Sequence, residues 1–240
     1  MRSTCIMLAA GKGRRVGGDV AKQYLNIAGR PIIAYTLENY EKSIVDDILL
    51  VISPEDDADA VKDIISRYSF KKTHITSCGG SERYLSVYNA LESLKSASQR
   101  PDYVLIQDGA RPYTSPEGIK KVLEAASRYG GAIAAAKAKD TIKISDENGL
   151  ISSSTCRQLT WQAQTPQCFR YDDITKAYEK LADCMRKSAG EDMSLITDDA
   201  FVFKRAFPDR PVKLVDLGQT NFKITTPEDV SYMRWIEENR

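Results

Sequence analysis

The sequence is poor in the residue types on which several common kinds of site depend. Its 240 residues include one histidine, His74, which argues against a histidine-based catalytic triad and against a multi-histidine metal site. The five cysteines are scattered and form no CxxC pair. They therefore predict reduced thiols in a cytosolic protein, and neither a disulfide framework nor a zinc site. The net charge is only +1, so no nucleic-acid partner is indicated.

Long apolar stretches are missing as well. The apolar run near the N-terminus, within MRSTCIMLAAGKG, leads directly into glycines. It is too short to span a membrane, and it predicts a strand and not a signal peptide. We therefore expect a cytoplasmic protein without a membrane partner. Hydrophobic residues make up 42% and charged residues 28%, an ordinary soluble composition.

Short apolar runs alternate along the chain with longer amphipathic stretches. This alternation is typical of βα units around a mostly parallel sheet, so the sequence predicts an α/β fold. The predicted strands are Cys5–Leu8, Asp47–Ile52, Lys72–Thr76, Tyr103–Gln107, Gly131–Ala136 and Val212–Leu214. The predicted helices are Pro31–Tyr40, Asp57–Tyr68, Arg83–Ser93 and Pro116–Tyr129.

The stretch at about 139–162 departs from this pattern. Alternating β-branched residues surround Asn148-Gly149, a dipeptide that predicts a type I′ hairpin turn. An extended β-arm inserted in an α/β domain usually covers a partner or a neighbouring active site, although the pattern fits an ordinary surface hairpin equally well. We expect residues 1–240 to form one domain, with this arm as a dimerisation element.

A segment rich in small residues, LAAGKGRRVGGDVAKQYL at 8–25, is the first candidate site. The predicted strand ends in Ala9-Ala10-Gly11, and such small residues let a ligand approach the backbone closely. The loop that contains Gly13 would present N–H groups to phosphates. The segment matches neither the P-loop nor GxGxxG, and a plain strand-to-helix turn is the alternative interpretation.

Three cations follow in the same segment, namely Arg14, Arg15 and Lys22. A bound triphosphate carries several negative charges, and in-line attack at phosphorus adds more in the transition state. Positioned arginine and lysine donors are what that chemistry requires. We therefore favour phosphate binding over a plain turn.

Asp108 and Arg111 come directly after the apolar run YVLI, within QDGARP. Ligands of open α/β sheets bind at the carboxyl ends of the strands. An aspartate at this place can orient a metal ion or hydroxyl groups, and an arginine can hold a phosphate through two hydrogen bonds. The alternative is an Asp–Arg pair that closes a turn before Pro112.

Two further segments are candidates. CGGSER at 78–83, with Ser86 beyond it, would bring backbone groups to a nucleobase edge, with helix capping by Ser81 as the alternative or additional role. Late in the chain come TDDA at 197–200 and then Lys223, which would meet a phosphate in the same site or be an ordinary exposed lysine.

Several motifs in this order carry a resemblance to a known family over nearly the whole chain. They are AAGKGRR with KQYL, GGSERYLSVYNAL, DGARP, DTIK, QTPQCF, TDDA and NFKITTPED. Together they resemble the 2-C-methyl-D-erythritol 4-phosphate cytidylyltransferase family, whose members join the cytidylyl group of CTP to a polyol phosphate in the non-mevalonate isoprenoid pathway. The resemblance implies a Rossmann-like nucleotidyltransferase fold, a β-arm exchanged across a homodimer, and Mg²⁺ with CTP.

The resemblance also implies a role for each matching residue. The CTP-binding residues would be Ala9, Ala10, Gly11, Gly13, Gly80, Ser81 and Ser86. The catalytic residues would be Arg15, Lys22, Asp108 and Lys223. The acceptor-binding residues would be Arg111, Thr141, Arg157 and Thr197, with Thr141 and Arg157 serving the neighbouring subunit. Asp108 is also the expected metal contact, although Mg²⁺ would be held mainly by the phosphates of CTP.

Three alternatives stay open at this point. Ribitol-5-phosphate cytidylyltransferases share the fold, the CTP loop and QTPQ, although DSVRP replaces DGARP in them. A regulatory protein that binds a nucleotide without turnover is a second alternative, disfavoured because Arg15, Lys22, Asp108 and Arg111 are all retained. A glycosyltransferase would need an acidic DxD motif, and Asp57-Ala58-Asp59 has that spacing but lies in a predicted helix.

Overall fold

The computed structural model describes residues 1–11, 21–187 and 196–240. The strands of these ranges are β1 (Ser3–Leu8), β2 (Asn26–Ile27), β3 (Arg30–Pro31), β4 (Asp47–Val51), β5 (Thr73–Thr76), β6 (Tyr103–Asp108), β7 (Gly131–Lys137), β8 (Lys143–Ser145), β9 (Ile151–Ser154), β10 (Trp161–Arg170) and β11 (Lys213–Asp216). The α-helices are α1 (Ile32–Glu41), α2 (Ala58–Arg67), α3 (Arg83–Lys95), α4 (Pro116–Tyr129), α5 (Tyr171–Lys187), α6 (Asp199–Ala206) and α7 (Pro227–Glu238).

Seven of the strands form a central sheet in the order β11-β7-β10-β6-β1-β4-β5. Strand β10 runs antiparallel to its neighbours β6 and β7, and the other adjacent pairs are parallel. The α/β fold with a mostly parallel sheet is thereby confirmed. All six predicted strands and all four predicted helices are present, within two residues of their predicted bounds. The prediction did not include the short strands β2 and β3, strand β10, or the helices α5, α6 and α7.

Both faces of the sheet are covered, as the uninterrupted apolar sequences of its central strands require. Successive side chains of a strand point to opposite faces. Accordingly, Cys5 and Met7 of β1 pack in one buried cluster, whereas Ile6 between them packs in the other with residues of α3 and α5. The first cluster includes residues of α1 and α4.

Helix α4 shows why its bounds could be predicted from the sequence. Ser115 caps it by accepting a hydrogen bond from the N–H of Gly118, and Pro116 occupies the first turn. The helix ends at Gly130, which adopts the left-handed φ of +87° that glycine tolerates best. Across the described ranges, none of the helices has the length and apolar character needed to cross a bilayer.

The predicted arm contains the hairpin β8–β9, which pairs separately from the central sheet. The predicted type I′ turn is wrong. That turn needs a positive φ at both central residues, but Gly149 has a φ of +80° and Asn148 does not. The Asp146 carboxylate accepts hydrogen bonds from the N–H groups of Asn148 and Leu150. This side chain holds a longer loop in which the positive φ is needed at the glycine alone.

Candidate active site

A cavity of about 750 Å³ lies at the carboxyl ends of the central parallel strands. Leu8 at the end of β1 and Asp108 at the end of β6 both line it. Strand β6 pairs with β1 along its whole length, which brings these two ends to one edge of the sheet. Eight of the predicted site residues line the cavity together: Ala10, Gly11, Lys22, Gly80, Ser81, Ser86, Asp108 and Lys223.

Other predicted residues lie elsewhere. Ala9 is buried, and its carbonyl accepts a hydrogen bond from Gln23, which does line the cavity. Arg111 is buried beside Asp108, outside the lining. The remaining acceptor residues are Thr141 and Arg157 on the arm and Thr197 before α6. All three are exposed, and none of them lines the cavity. The predicted residues Gly13 and Arg15 lie outside the described residues.

Asp108 is the centre of a cluster of charges. Its carboxylate lies 2.9 Å from Lys223 Nζ, 3.4 Å from Arg83 Nε and 3.5 Å from Arg111 Nε. Burial acts to raise the pKa of Asp108, but the charges of Lys223, Arg83 and Arg111 outweigh it and hold that pKa well below its usual range. The carboxylate is therefore ionised at any physiological pH, and it neutralises part of the positive charge that surrounds it.

This arrangement bears directly on the expected metal contact. Both oxygens of Asp108 face cations, Oδ1 facing Arg83 and Oδ2 facing Lys223 and Arg111. Among the described residues, no three carboxylate, thiol or imidazole groups are gathered as a metal site would need. Mg²⁺ prefers one or two carboxylates together with substrate phosphates, and here the carboxylate is already engaged. The residues do not form a ready metal site on Asp108.

The segment that carries Lys223 is fixed by its neighbour Asn221, which is 2% exposed. The Asn221 side-chain amide donates to Gln164 Oε1 at 3.0 Å and to the Thr165 carbonyl at 2.9 Å. Its side-chain oxygen accepts from Thr114 Oγ1 at 2.7 Å, and Arg111 donates to its backbone carbonyl at 2.8 Å. Gln164 and Thr165 belong to the QTPQ motif, whose role in the fold is therefore to hold this segment.

Lys22 connects an early segment of the chain to a late one at the cavity. Its Nζ donates to the carbonyl of Ile224 at 3.0 Å, so the first candidate segment contacts the last one. Lys22 begins a short 3₁₀ turn, Lys22–Tyr24, that is followed by the small hairpin β2–β3. The structure thus brings Lys22 and Lys223 to one cavity, as the phosphate-binding interpretation requires.

Gly79 and Gly80 form another part of the cavity wall. A Cβ at Gly79 would lie 2.3 Å from the Cβ of Ala10 and 2.7 Å from the carbonyl oxygen of Ile52, so only glycine fits there. The N–H of Gly80 donates to Ser86 Oγ at 3.0 Å. The predicted capping of α3 by Ser81 is not observed, because the helix begins after Glu82 and has no side-chain cap.

The prediction missed the group that holds Arg83 at this cavity. Arg83 donates two hydrogen bonds to Asp199, from Nη1 at 2.9 Å and from Nη2 at 2.7 Å. Asp199 is fully buried and also accepts from the Tyr178 hydroxyl at 2.6 Å. Burial and the charge of Asp199 raise the pKa of Tyr178 well above its usual value, so the hydroxyl keeps its proton and donates. The TDDA motif marked Asp199, but no local pattern in the sequence pairs it with Arg83.

An α/β sheet with glycines and cations gathered at its strand ends is the arrangement of an enzyme that binds a nucleotide and reacts at phosphorus. The fold and the site thus define the class, a nucleotidyltransferase. The model of one family, 2-C-methyl-D-erythritol 4-phosphate cytidylyltransferase, matches residues 4–238. The chain belongs to that family.

Curated relatives agree with this assignment. The chain is 39% identical over 234 residues to the 2-C-methyl-D-erythritol 4-phosphate cytidylyltransferase of Lachnoclostridium phytofermentans, covering 97% of this chain and 95% of the relative. It is 38% identical over 240 residues to the enzyme of that name from Alkaliphilus oremlandii, covering 100% and 96%. Among solved structures, it resembles the 4-diphosphocytidyl-2C-methyl-D-erythritol synthase of Anaerococcus prevotii, with a TM-score of 0.82, 32% identity and coverage of 99% and 96%.

Proposed function

We propose that the protein transfers the cytidylyl group of CTP to 2-C-methyl-D-erythritol 4-phosphate and releases pyrophosphate, as a step in the synthesis of isoprenoid precursors. One observation carries the proposal. Lys22 and Lys223 line the same cavity, and the Asp108 carboxylate there is surrounded by cationic side chains. Family membership supports the identity of both substrates. Ribitol 5-phosphate, the alternative acceptor, is not favoured by the relatives.

The reaction needs charge stabilisation more than proton transfer. An oxygen of the acceptor phosphate attacks the α-phosphorus of CTP, a new P–O bond forms, and the bond from the α-phosphorus to the bridging oxygen breaks as pyrophosphate leaves. Phosphate oxygens are already ionised near neutral pH, so no general base is required. Catalysis then rests on position and on electrostatic stabilisation of the transition state. The absence of histidine from the cavity lining in the described residues agrees with this chemistry.

Lys22 and Lys223 take different parts in this proposal. Lys22 stabilises the charge that develops on the triphosphate, together with Arg15 as the family resemblance implies. Lys223 contacts Asp108 at 2.9 Å, and a phosphate dianion would compete for the same ammonium group. We propose that Lys223 turns from Asp108 to the phosphates as the acceptor enters. Mg²⁺ is proposed to arrive on the phosphates of CTP.

The arm belongs to the same proposal through a homodimer. Thr141 and Arg157 are exposed and do not line the cavity of their own chain. The arm also exposes Ile151 at 68% and Leu159 at 79% of their surface, and exposed apolar groups of this kind mark a surface that a partner covers. These observations support an arm that reaches the acceptor in a neighbouring subunit. A cytoplasmic location, expected from the cysteines, completes the proposal.

The experiment that tests the proposed function is pyrophosphate release with CTP and Mg²⁺, with 2-C-methyl-D-erythritol 4-phosphate and ribitol 5-phosphate offered in parallel. Strong turnover with the first acceptor is expected. Preference for ribitol 5-phosphate would contradict the proposed acceptor, but it would still support transfer of the cytidylyl group from CTP. No turnover with either, in a protein that binds CTP, would support the regulatory alternative.

The shared site is tested by subunit mixing. Arg157→Ala and Lys22→Ala homodimers should each be inactive, because one lacks the acceptor contact and the other the triphosphate contact. Mixed dimers should recover part of the activity, since one of their two sites contains neither substitution. No recovery in dimers verified by differential tags would contradict an arm that serves the neighbouring site.

A further inference from the structure

Arg83 is held by hydrogen bonds that use all three nitrogens of its guanidinium group. It lines the cavity, yet both of its terminal nitrogens are bonded to Asp199, at 2.9 and 2.7 Å. A two-point contact of this kind fixes the plane of a guanidinium group as well as its position. The nitrogen that remains, Nε, is directed to Oδ1 of Asp108 at 3.4 Å.

Asp199 is itself fixed from behind. It is fully buried at the first turn of α6, and the buried hydroxyl of Tyr178 on α5 donates to it at 2.6 Å. The preceding residue, Asp198, caps α6 and accepts a hydrogen bond from Gln167 of β10 at 3.1 Å. The start of α6 is thus tied both to α5 and to the central sheet, which leaves Asp199 little freedom to move.

The two oxygens of Asp108 have different partners. Oδ2 faces Lys223 and Arg111, whereas Oδ1 faces Arg83. If Lys223 leaves Oδ2 for a substrate phosphate, the carboxylate loses its shortest contact. The contact through Oδ1 is then one of those that keep it from rotating into the cavity, where its negative charge would repel the phosphates.

We propose that Asp199 is a positioning residue of the reaction: held by Tyr178, it locks the guanidinium of Arg83, which keeps the Asp108 carboxylate in place while Lys223 moves to the substrate. This inference rests on the proposed function and adds to it a group that touches no substrate. The chemical consequence is that the Tyr178–Asp199–Arg83 chain acts on the rate of transfer and hardly on the affinity for CTP.

The test measures kcat and KM for CTP in Asp199→Asn, which keeps the shape and removes the charge. We expect kcat to fall about tenfold or more while KM for CTP changes less than about threefold, the pattern of a group that acts in the transition state. Asp173→Asn is the matched control, because it removes another aspartate that pairs with an arginine, Arg210 at 2.7 Å, outside the cavity lining. That variant should keep the wild-type kcat.

A second measurement separates positioning from a merely structural role. In an Arg83→Lys background the guanidinium fork is gone, so adding Asp199→Asn should change kcat by less than about twofold, since coupled residues are not additive. Independent effects that multiply would overturn the proposal, as would a normal kcat in folded Asp199→Asn.

If Asp199→Asn does not fold, Tyr178→Phe takes its place in the same cycle, with an expected fall in kcat of about threefold that the Arg83→Lys background abolishes. Tyr171→Phe, which removes another buried hydroxyl from the same helix, is its control. A normal kcat in Tyr178→Phe would then overturn the proposal. Wild-type turnover in the same assay shows separately whether the proposed function holds.

Discussion

Replacement of Asn221 by alanine offers the sharpest test of how this site is built, because Asn221 touches no predicted substrate and yet fixes the segment that carries Lys223. Its side chain takes part in three hydrogen bonds, two as a donor to Gln164 and Thr165 and one as an acceptor from Thr114. All three are buried. In Asn221→Ala each of these partners loses its bond in a place that water reaches poorly.

The magnitude follows from that count. A buried hydrogen bond contributes about 1 kcal/mol net, and more where the partner is left unsatisfied, so the free energy of unfolding should fall by about 3 kcal/mol. With a denaturant slope of about 3 kcal/mol per molar for a chain of this size, the urea midpoint should move down by about 1 M. Lys223 should also lose its fixed place 2.9 Å from Asp108. A displacement of about 1 Å at a positioned group costs up to about 100-fold in rate.

Urea unfolding and pyrophosphate release measured on the same preparation check both effects. Asn239→Ala is the control, because the Asn239 side chain donates one exposed hydrogen bond to the Trp235 carbonyl at 2.8 Å. Loss of that bond should change the unfolding free energy by less than about 0.5 kcal/mol. If Asn221→Ala unfolds at the wild-type urea concentration and turns over normally, then the hydrogen bonds of Asn221 do not position Lys223.

Three further predictions concern the cavity and its surroundings. Lys22→Ala should lower kcat by about 100-fold or more while the thermal midpoint stays near the wild-type value, because the charge acts mainly in the transition state; circular dichroism and steady-state kinetics check this. Gly79→Ala should lose about 1–3 kcal/mol of stability, since its Cβ would lie 2.3 Å from that of Ala10; urea unfolding measures the loss, and wild-type stability would show that the wall can move. Burial raises the pKa of Cys5, so its thiol stays protonated at pH 8 and should resist a thiol reagent while exposed Cys156 reacts; mass spectrometry after brief labelling identifies which cysteine has reacted.

Much of the fold could be predicted because its central strands are continuous apolar runs and its helices carry their own end signals. Strand β10 was missed for a physical reason. Its sequence, WQAQTPQCFR, contains three glutamines and a proline. Such polar residues do not indicate a buried strand unless the hydrogen-bond partners that satisfy them are known. Those partners come from Asn221 and from the start of α6, which lie far along the chain.

The candidate site divides in the same way. Lys22 could be predicted because phosphate chemistry needs cations beside glycine-rich turns, whereas Lys223 was predicted from the family resemblance; the structure places both at the cavity. The pairing of Arg83 with Asp199 could not be predicted, because the two residues are separated by 116 positions and no local pattern links them. Helix α7 was a different omission, since Thr226 and Asp229 form a capping box that TTPED already displays.

The contact between Lys22 and Ile224 spans 202 positions of the chain, and this separation affects the stage of folding at which the site forms. Contacts between remote segments require large loops to close, so they form late in folding. A nascent chain that has emerged only as far as β11 contains every strand of the sheet and most of the cavity wall. It still lacks Lys223 and the carbonyl that anchors Lys22. Activity therefore requires the segment that carries Lys223 and Ile224 to be docked, and the appearance of turnover during refolding would report that docking.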